Sequence, residues 1–238
     1  MRNLPTVYTA SDVGKVRAVN EDSVTVTDKV YAIADGMGGH AAGEVASRAL
    51  IDTVNSFFAG RGELDEHILA EAVTEANRKI LAMVREEPQL NGMGTTATLL
   101  TLTNDRACWA HVGDSRLYLC RCGELKQITR DHSYVEELVA AGSITHEEAR
   151  LHPRKNLLTR AVGVRPTVKT DTGHLPVDEH DIFLLCTDGL TNMVTDNDIR
   201  DILTAPTDAD PARELVERAL AAGGLDNVSA IVVITDGV

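Results

Sequence analysis

The order of strand-like and helix-like stretches most constrains what this 238-residue chain can fold into. Apolar stretches of strand length follow one another directly: "SVTVTD" and "KVYAIA" meet at Asp28 and Lys29, and short turns near 104–105 and 122–123 lie within the run "TTATLLTLT", "RACWAHV", "RLYLCR" and "ELKQIT". Strands joined by such short turns pair antiparallel. A doubly wound parallel sheet would need regular alternation of strands and helices, which this order does not provide.

Two pairs of helices interrupt the strands, because apolar residues recur there at helical spacing. The predicted helices lie near 44–59, 65–87, 196–203 and 210–222, and further strands lie near 168–172, 181–187 and 227–235. Antiparallel strands interrupted by helix pairs predict an α+β fold in which a β-sandwich is covered by helices.

The stretch 131–160 differs from the rest of the chain. It carries many charges and two short helical pieces, "SYVEELVAAG" and "THEEARL". We interpret it as a flap-like surface subdomain. No Pro- or Ser-rich linker divides the sequence, so we expect residues 1–238 to form a single domain that includes this flap.

The charge of the chain excludes some partners. Lys and Arg total 23 against 36 Asp and Glu, a net charge of -13, so no sequence-wide basic field attracts nucleic acid or an anionic membrane. No apolar run is long enough for a signal peptide or a membrane-spanning helix. The sequence therefore predicts a cytoplasmic protein that binds neither nucleic acid nor membranes.

Four cysteines, Cys108, Cys120, Cys122 and Cys186, lack the spacing typical of a zinc site. We predict that they are reduced packing residues, with Cys120 and Cys122 on the same face of one strand. Aromatic residues make up only 3% of the chain, so Val, Ile, Leu and Ala must build the core.

Aspartates recur at strand termini. Asp35, Asp114 and Asp188 end "VYAIAD", "WAHVGD" and "IFLLCTD", while Asp22 and Asp226 stand just before "SVTVT" and "NVSAIVVIT". Any one of them could be an ordinary turn residue. Three also adjoin glycines, in "DGMGG", "GDSR" and "TDGL", which give access to the backbone. If these termini meet, the carboxylates repel one another unless cations neutralise them.

The glycine-rich turn after Asp35 allows a second interpretation, because "GMGGHA" fits the dinucleotide fingerprint G-x-G-x-x-A. A carboxylate directly before that turn would repel a pyrophosphate, so we favour a cation site. Oxygen ligands suit Mg²⁺ or Mn²⁺. Two such ions sharing a carboxylate would produce hydroxide near neutral pH and hold a phosphoryl group, which predicts phosphate ester hydrolysis.

Eight sequence blocks occur in the order of a known family: "VRAVNEDS", "AIADGMGGHAAGE", "GMGTTAT", "AHVGDSRLYL", "ITRDHS", "LLTRAVG", "LLCTDGLTNMV" and "DNVSAIVV". The chain resembles the metal-dependent serine/threonine protein phosphatases of type 2C, specifically their bacterial stand-alone catalytic domains. The resemblance implies an antiparallel two-sheet β-sandwich flanked by pairs of α-helices. It also implies phosphorylated Ser/Thr proteins as substrates and an opposing bacterial Ser/Thr kinase, and we expect a monomer.

The resemblance further implies how the aspartates bind metal. Asp35 would bridge two central Mn²⁺ or Mg²⁺ ions, and the Gly36 carbonyl would complete one of them. Asp188 and Asp226 would hold the other ion. A metal-bridged hydroxide would then attack the phosphate monoester directly, without a phosphoenzyme.

Four further residues receive roles from the same resemblance. Asp22 would bind metal-coordinated water, and Asp114, with Asp188, would form a third metal site. Arg17 would hold the substrate phosphate through a forked contact, the alternative being a solvated surface arginine. His40 would protonate the leaving serine or threonine oxygen, the alternative being a histidine that packs or contacts solvent at a helix start.

Two other functions remain as alternatives. "GDSR" is similar to the G-D-S-L block of some serine hydrolases, which would make Ser115 a nucleophile, but we expect a turn-stabilising hydroxyl there. Thr95 and Thr96 are expected to support the site through their hydroxyls. The non-enzymatic alternative is a pseudophosphatase or phosphoprotein-binding module, which measured turnover with Mn²⁺ would exclude.

Overall fold

The computed structural model describes residues 5–38, 42–103, 105–206 and 209–235, which form two antiparallel sheets. The strands are β1 (Thr6–Asp12), β2 (Asp22–Val26), β3 (Tyr31–Met37), β4 (Gly94–Thr95), β5 (Ala97–Leu102), β6 (Arg106–Val112), β7 (Arg116–Arg121), β8 (Glu124–Gln127), β9 (Asp171–Pro176), β10 (Ile182–Cys186) and β11 (Val228–Ile234). One sheet has the order β1-β11-β10-β7-β8. The other has the order β2-β3-β5-β6-β9, with β4 paired to β3.

Seven α-helices lie in the described ranges: α1 (Ala42–Phe58), α2 (Glu66–Glu86), α3 (Tyr134–Ala140), α4 (His146–Leu151), α5 (Asp188–Thr191), α6 (Asp196–Leu203) and α7 (Pro211–Ala221). Side-chain caps set several of their starts. The Asp65 carboxylate accepts from the Ile68 N–H at 2.8 Å before α2, and Asp210 accepts from the Arg213 N–H at 3.0 Å before α7.

Three apolar clusters define the layers of the molecule. The inner cluster lies between the sheets and takes Ile33 and Leu100 from one sheet and Phe183 and Ile231 from the other. A second cluster packs α1 and α2 on the outer face of the β3-β5-β6 region. A third packs α5, α6 and α7 on the outer face of β7, β10 and β11. The predicted α+β sandwich flanked by helix pairs is thereby confirmed.

The two ends of the segment 131–160 lie side by side at the sandwich and are hydrogen-bonded to each other. The Tyr134 N–H donates to the Leu157 carbonyl at 2.8 Å, and the Thr159 N–H donates to the His132 carbonyl at 2.8 Å. Between these contacts lie α3 and α4. We call residues 131–160 the flap segment.

Several local predictions were wrong. β9 occupies Asp171–Pro176 instead of 168–172, and no strand was predicted at β1, because "TVYTASD" carries few apolar residues. Cys120 is buried, but Cys122 is exposed and has a positive φ of 51°. Cys122 therefore belongs to the turn after β7 and does not share a packing face with Cys120.

Candidate metal centre

Asp22 and Asp35 face each other directly across the β2-β3 pair. Side chains at such paired positions project from the same face of a sheet. The Asp35 N–H donates to the Thr96 hydroxyl at 2.8 Å, and the Thr95 hydroxyl donates to the Asp35 carbonyl at 3.0 Å. These two threonines thus fix the backbone of Asp35, as the sequence predicts.

The carboxylate of Asp22 is buried and only half satisfied. The hydroxyls of Thr187 and Ser229 donate to its Oδ2 at 2.9 and 2.7 Å. Its Oδ1 is buried with no hydrogen-bond partner. A buried carboxylate oxygen without a partner is costly unless a cation or water satisfies it, so Asp22 fits a metal-binding region.

Glycines let distant aspartates come together by close backbone approach. A Cβ on Gly189 would lie 1.9 Å from the Asn227 carbonyl oxygen, so only glycine allows α5 to begin with Asp188 next to Asp226. A Cβ on Gly36 would lie 2.1 Å from the Gly43 carbonyl oxygen. The start of α1 therefore packs directly against the end of β3, at the residue that follows Asp35.

The carboxylates raise one another's pKa. Burial first, and then neighbouring aspartates, raise the pKa of Asp22 to about 7 and hold the pKa of Asp35 well above its usual range. Burial and Asp226 raise the pKa of Asp188 to about 6, although a hydrogen bond with Asp35 lowers it. Clustered buried carboxyls of this kind favour protonation or the binding of cations.

Asp114 joins the cluster from the turn between β6 and β7. Burial, then Asp188 and Asp131, hold its pKa well above the usual range. Within the ranges that the structure describes, no group of three or more His, Cys, Asp or Glu side chains is placed so that it could hold a metal ion. Backbone carbonyls and water normally complete the shells of Mg²⁺ and Mn²⁺, so the residues present fit such hard ions better than zinc.

Arg17 reaches the cluster from the loop 13–21. Its Nη2 donates to Asp226 Oδ2 at 2.9 Å, and 47% of its side chain is exposed. Asn227 holds the loop by donating from Nδ2 to the carbonyls of Val13 and Val19, both at 2.9 Å. The guanidinium thus lies at the open side of the carboxylates, where a phosphate could reach it.

Ser115 is fully buried, and its Oγ lies 2.7 Å from the Thr96 hydroxyl. Its hydrogen bonds therefore support the turn that carries Asp114, as predicted, and offer no sign of an activated nucleophile. His40 lies outside the described residues.

A cavity of about 680 Å³ lies beside the carboxylates and is lined on one side by the flap segment. Asp114 and Asp188 line it together with Lys155 of the flap segment and Asn192 after α5. The Lys155 Nζ donates to Asn192 Oδ1 at 3.2 Å, and Asn192 Nδ2 donates to Asp188 Oδ2 at 3.0 Å. Sequence patterns did not indicate Lys155 or Asn192, because neither belongs to an Asp-Gly pair.

Comparison with known proteins decides the family, since residues 15–222 match the family Protein phosphatase 2C. The chain belongs to the protein phosphatase 2C family. This phosphatase 2C chain is 45% identical to the serine/threonine protein phosphatase PstP of Mycobacterium tuberculosis over 233 residues, covering 93% of this chain and 43% of that protein. It thus spans less than half of that relative.

Other relatives match over their whole length. The serine/threonine phosphatase stp of Listeria monocytogenes is 38% identical over 237 residues, covering 95% of this chain and 94% of that protein. The structure of the PstP catalytic domain in complex with two manganese ions superimposes with a TM-score of 0.91 at 41% identity, covering 98% of this chain and 99% of that chain. The predicted family and fold are confirmed. None of the helices in the described ranges is long and apolar enough to cross a membrane.

Proposed function

We propose that this phosphatase 2C chain hydrolyses phosphoserine and phosphothreonine in proteins, using divalent cations. The observation that carries the proposal is the convergence of buried, mutually repelling carboxylates beside the half-exposed guanidinium of Arg17. Such a site combines cation binding with anion binding, which phosphate ester hydrolysis requires.

Asp35, the Gly36 carbonyl, Asp188 and Asp226 would hold two central Mn²⁺ or Mg²⁺ ions. When bound, such ions lower the pKa of water and neutralise the charge of a phosphate ester. Asp22 would orient water, since its Oδ1 has no hydrogen-bond partner in the chain.

Asp114 and Asp188 would hold a third ion. This ion is expected to bind more weakly than the central pair, because fewer carboxylates reach it.

Arg17 would bind and orient the substrate phosphate by forked, charge-assisted hydrogen bonds. His40 would donate a proton to the leaving oxygen of serine or threonine, which is a poor leaving group without one.

We further propose that residues 1–238 form one catalytic domain, in which the flap segment lies over the substrate cavity. The substrates would be phosphorylated by an opposing bacterial Ser/Thr kinase in the cytoplasm, and the protein would act as a monomer.

The test is phosphate release from a phosphothreonine peptide and a matched phosphotyrosine peptide, each with Mn²⁺. We expect turnover of the phosphothreonine peptide and much slower turnover of the phosphotyrosine peptide. Tight binding of the phosphothreonine peptide without phosphate release would instead show a phosphoprotein-binding module. Equal turnover of both peptides would contradict the assigned substrate class.

A further inference from the structure

Three exposed aliphatic side chains lie in the two chain segments that carry Arg17 and Asp226. Val16 is 65% exposed, Val19 is 45% exposed and Leu225 is 57% exposed. Apolar side chains that are exposed as a group, unlike single ones, are typical of a binding surface. We call Val16, Val19 and Leu225 the apolar rim.

Backbone contacts hold the two segments of the apolar rim together. The Lys15 N–H donates to the Gly224 carbonyl at 2.7 Å, and the Asn227 side chain donates to the Val19 carbonyl at 2.9 Å. A Cβ on Gly14 would lie 2.3 Å from the Asp226 carbonyl oxygen, so the loop rests directly on the neighbouring segment. The rim residues are therefore presented on a fixed backbone around the ion pair of Arg17 and Asp226.

The charges of this region select the kind of partner. Lys15 is exposed and lies two residues before Arg17, in a chain with a net charge of -13. Arg17 already contacts Asp226 at 2.9 Å and Glu21 at 3.8 Å, so the region offers the half-exposed guanidinium and the exposed Lys15 beside two carboxylates. Metal binding would neutralise Asp226, and the two cations next to aliphatic side chains then complement a segment that carries both a phosphate and apolar residues.

The size of the surface also matters. Three partly exposed aliphatic side chains present far less than the roughly 800 Å² per partner that a stable protein interface buries. A short extended segment fits this surface better than a second folded copy of the chain.

We infer that the apolar rim binds the substrate polypeptide next to its phosphorylated residue, and that the preferred substrates carry an aliphatic side chain there. This inference rests on the proposed function, because Arg17 must hold the phosphate for the rim to lie beside it. The rim is a specificity-determining surface and takes no part in the chemical step.

The experiment compares two phosphothreonine peptides that differ only in the residues on both sides of the phosphothreonine, leucine in one and serine in the other. For the unmodified protein with Mn²⁺, we expect kcat/KM to favour the leucine peptide by about five- to tenfold, mainly through KM, as partial burial of one or two apolar side chains gives. The double variant Val16→Ser/Leu225→Ser should bring this ratio close to one.

Val26→Ser is the matched control, since Val26 is 40% exposed but lies at the opposite end of β2 from Asp22. It should keep the preference of the unmodified protein. A ratio near one in the unmodified protein, or an equal loss for both peptides in the double variant, overturns the inference while leaving the proposed function intact. Failure to hydrolyse either peptide overturns the proposed function and the inference with it. If sedimentation shows a dimer for the unmodified protein and a monomer for the double variant, the apolar rim serves self-association, and the inference is overturned as well.

Discussion

At the scale of single residues, Asp35 lies at the centre of the aspartate cluster. Its backbone is held by Thr95 and Thr96, and its carboxylate lies against those of Asp22 and Asp188. Because the two threonine hydroxyls fix the backbone of Asp35, its carboxylate stays close to the other carboxylates, which repel it. A cation that neutralises these carboxylates is therefore expected to bind favourably.

We expect Asp35→Asn and Asp188→Asn each to lower kcat by at least about 10²- to 10³-fold, because each removes a charge that holds the metal pair. The amide keeps the size of the side chain, so circular dichroism should show a folded protein. Asp201→Asn is the control, as Asp201 is an exposed residue of α6. Substantial turnover by either cluster variant would argue against the assignment.

Arg17 and His40 should respond differently to the leaving group. Arg17→Ala should mainly raise KM for a phosphothreonine peptide, because phosphate binding precedes and accompanies the chemical step. His40→Ala should lower kcat by about 10²- to 10⁴-fold for that peptide and far less for p-nitrophenyl phosphate, whose phenolate leaves unaided. Steady-state kinetics at saturating Mn²⁺ would measure both. An equal loss for the two substrates in His40→Ala would return His40 to a packing role.

The convergence of the aspartates could be predicted from sequence because each lies beside an apolar, strand-like run and several adjoin a glycine, although β3 continues past Asp35 to Met37. Thr96 could be predicted as a supporting residue, but its contact with Ser115 depends on a fold in which residues 19 positions apart meet. Lys155 and Asn192, which line the cavity beside Asp188, belong to no such pattern. Their positions follow from packing between distant segments, which local sequence does not encode.

At the scale of elements, the flap segment is attached to the aspartate cluster by polar contacts. Lys155 reaches Asp188 through Asn192, and the Arg150 guanidinium donates to the Thr191 carbonyl at 3.3 Å. These bonds are partly exposed, so each contributes only about 1 kcal/mol. The part of the flap segment that carries Arg150 and Lys155 is therefore held only by weak bonds, whereas the ends of the segment are fixed by ion pairs such as Arg116–Asp131 at 2.7 Å.

Lys155→Ala should loosen this attachment. We expect faster amide hydrogen exchange in α4 and a two- to fivefold loss of kcat/KM for a phosphoprotein, the size expected from one such hydrogen bond. Lys126→Ala, on the exposed edge strand β8, is the matched control. If hydrogen exchange in α4 is the same in both variants, the flap segment is not held through Lys155.

Element boundaries were predicted best where apolar periodicity was strong. The strand β10 and the helix α6 lie where the sequence places them, because their apolar residues form clear patterns. The strand β9, "DTGHLP", has a glycine and a proline, and it lies at a sheet edge where pairing with β6 overrides its weak propensity. The single turn α5 is too short to show helical periodicity.

At the scale of the whole molecule, the carboxylate cluster makes stability depend on pH. The pKa values of Asp22 and Asp188 rise to about 7 and about 6 on folding, so the folded chain binds more protons than the unfolded chain between about pH 4 and 7. These groups therefore stabilise the metal-free protein at low pH, and the stabilisation is lost as the pH rises through 7. Burial lowers the pKa of His111 to about 4. Because the unfolded histidine takes up a proton near about pH 6.5, His111 makes the folded protein less stable as the pH falls below that value.

We expect the Tm increase caused by saturating Mn²⁺ to be larger at pH 8 than at pH 5 by about 5 °C or more. The reason is that ionised carboxylates bind the cation, whereas at pH 5 protons compete with it. The effect of His111 on Tm is the same with and without Mn²⁺, so it cancels in the Tm increase that Mn²⁺ causes at each pH. Thermal melts at both pH values measure this difference. A shift that is equal at both, or larger at pH 5, would show that the cluster does not bind the ions.

We propose that the aspartate cluster binds the cations on which turnover depends. The most direct measurement is to strip the protein with EDTA, remove the chelator, and follow Mn²⁺ binding by calorimetry and phosphothreonine peptide hydrolysis on the same sample. We predict no turnover in the stripped protein, recovery of activity as two tight sites fill, and loss of both binding and recovery in Asp35→Asn. Full activity in the stripped protein, or tight Mn²⁺ binding that Asp35→Asn leaves unchanged, would contradict the claim.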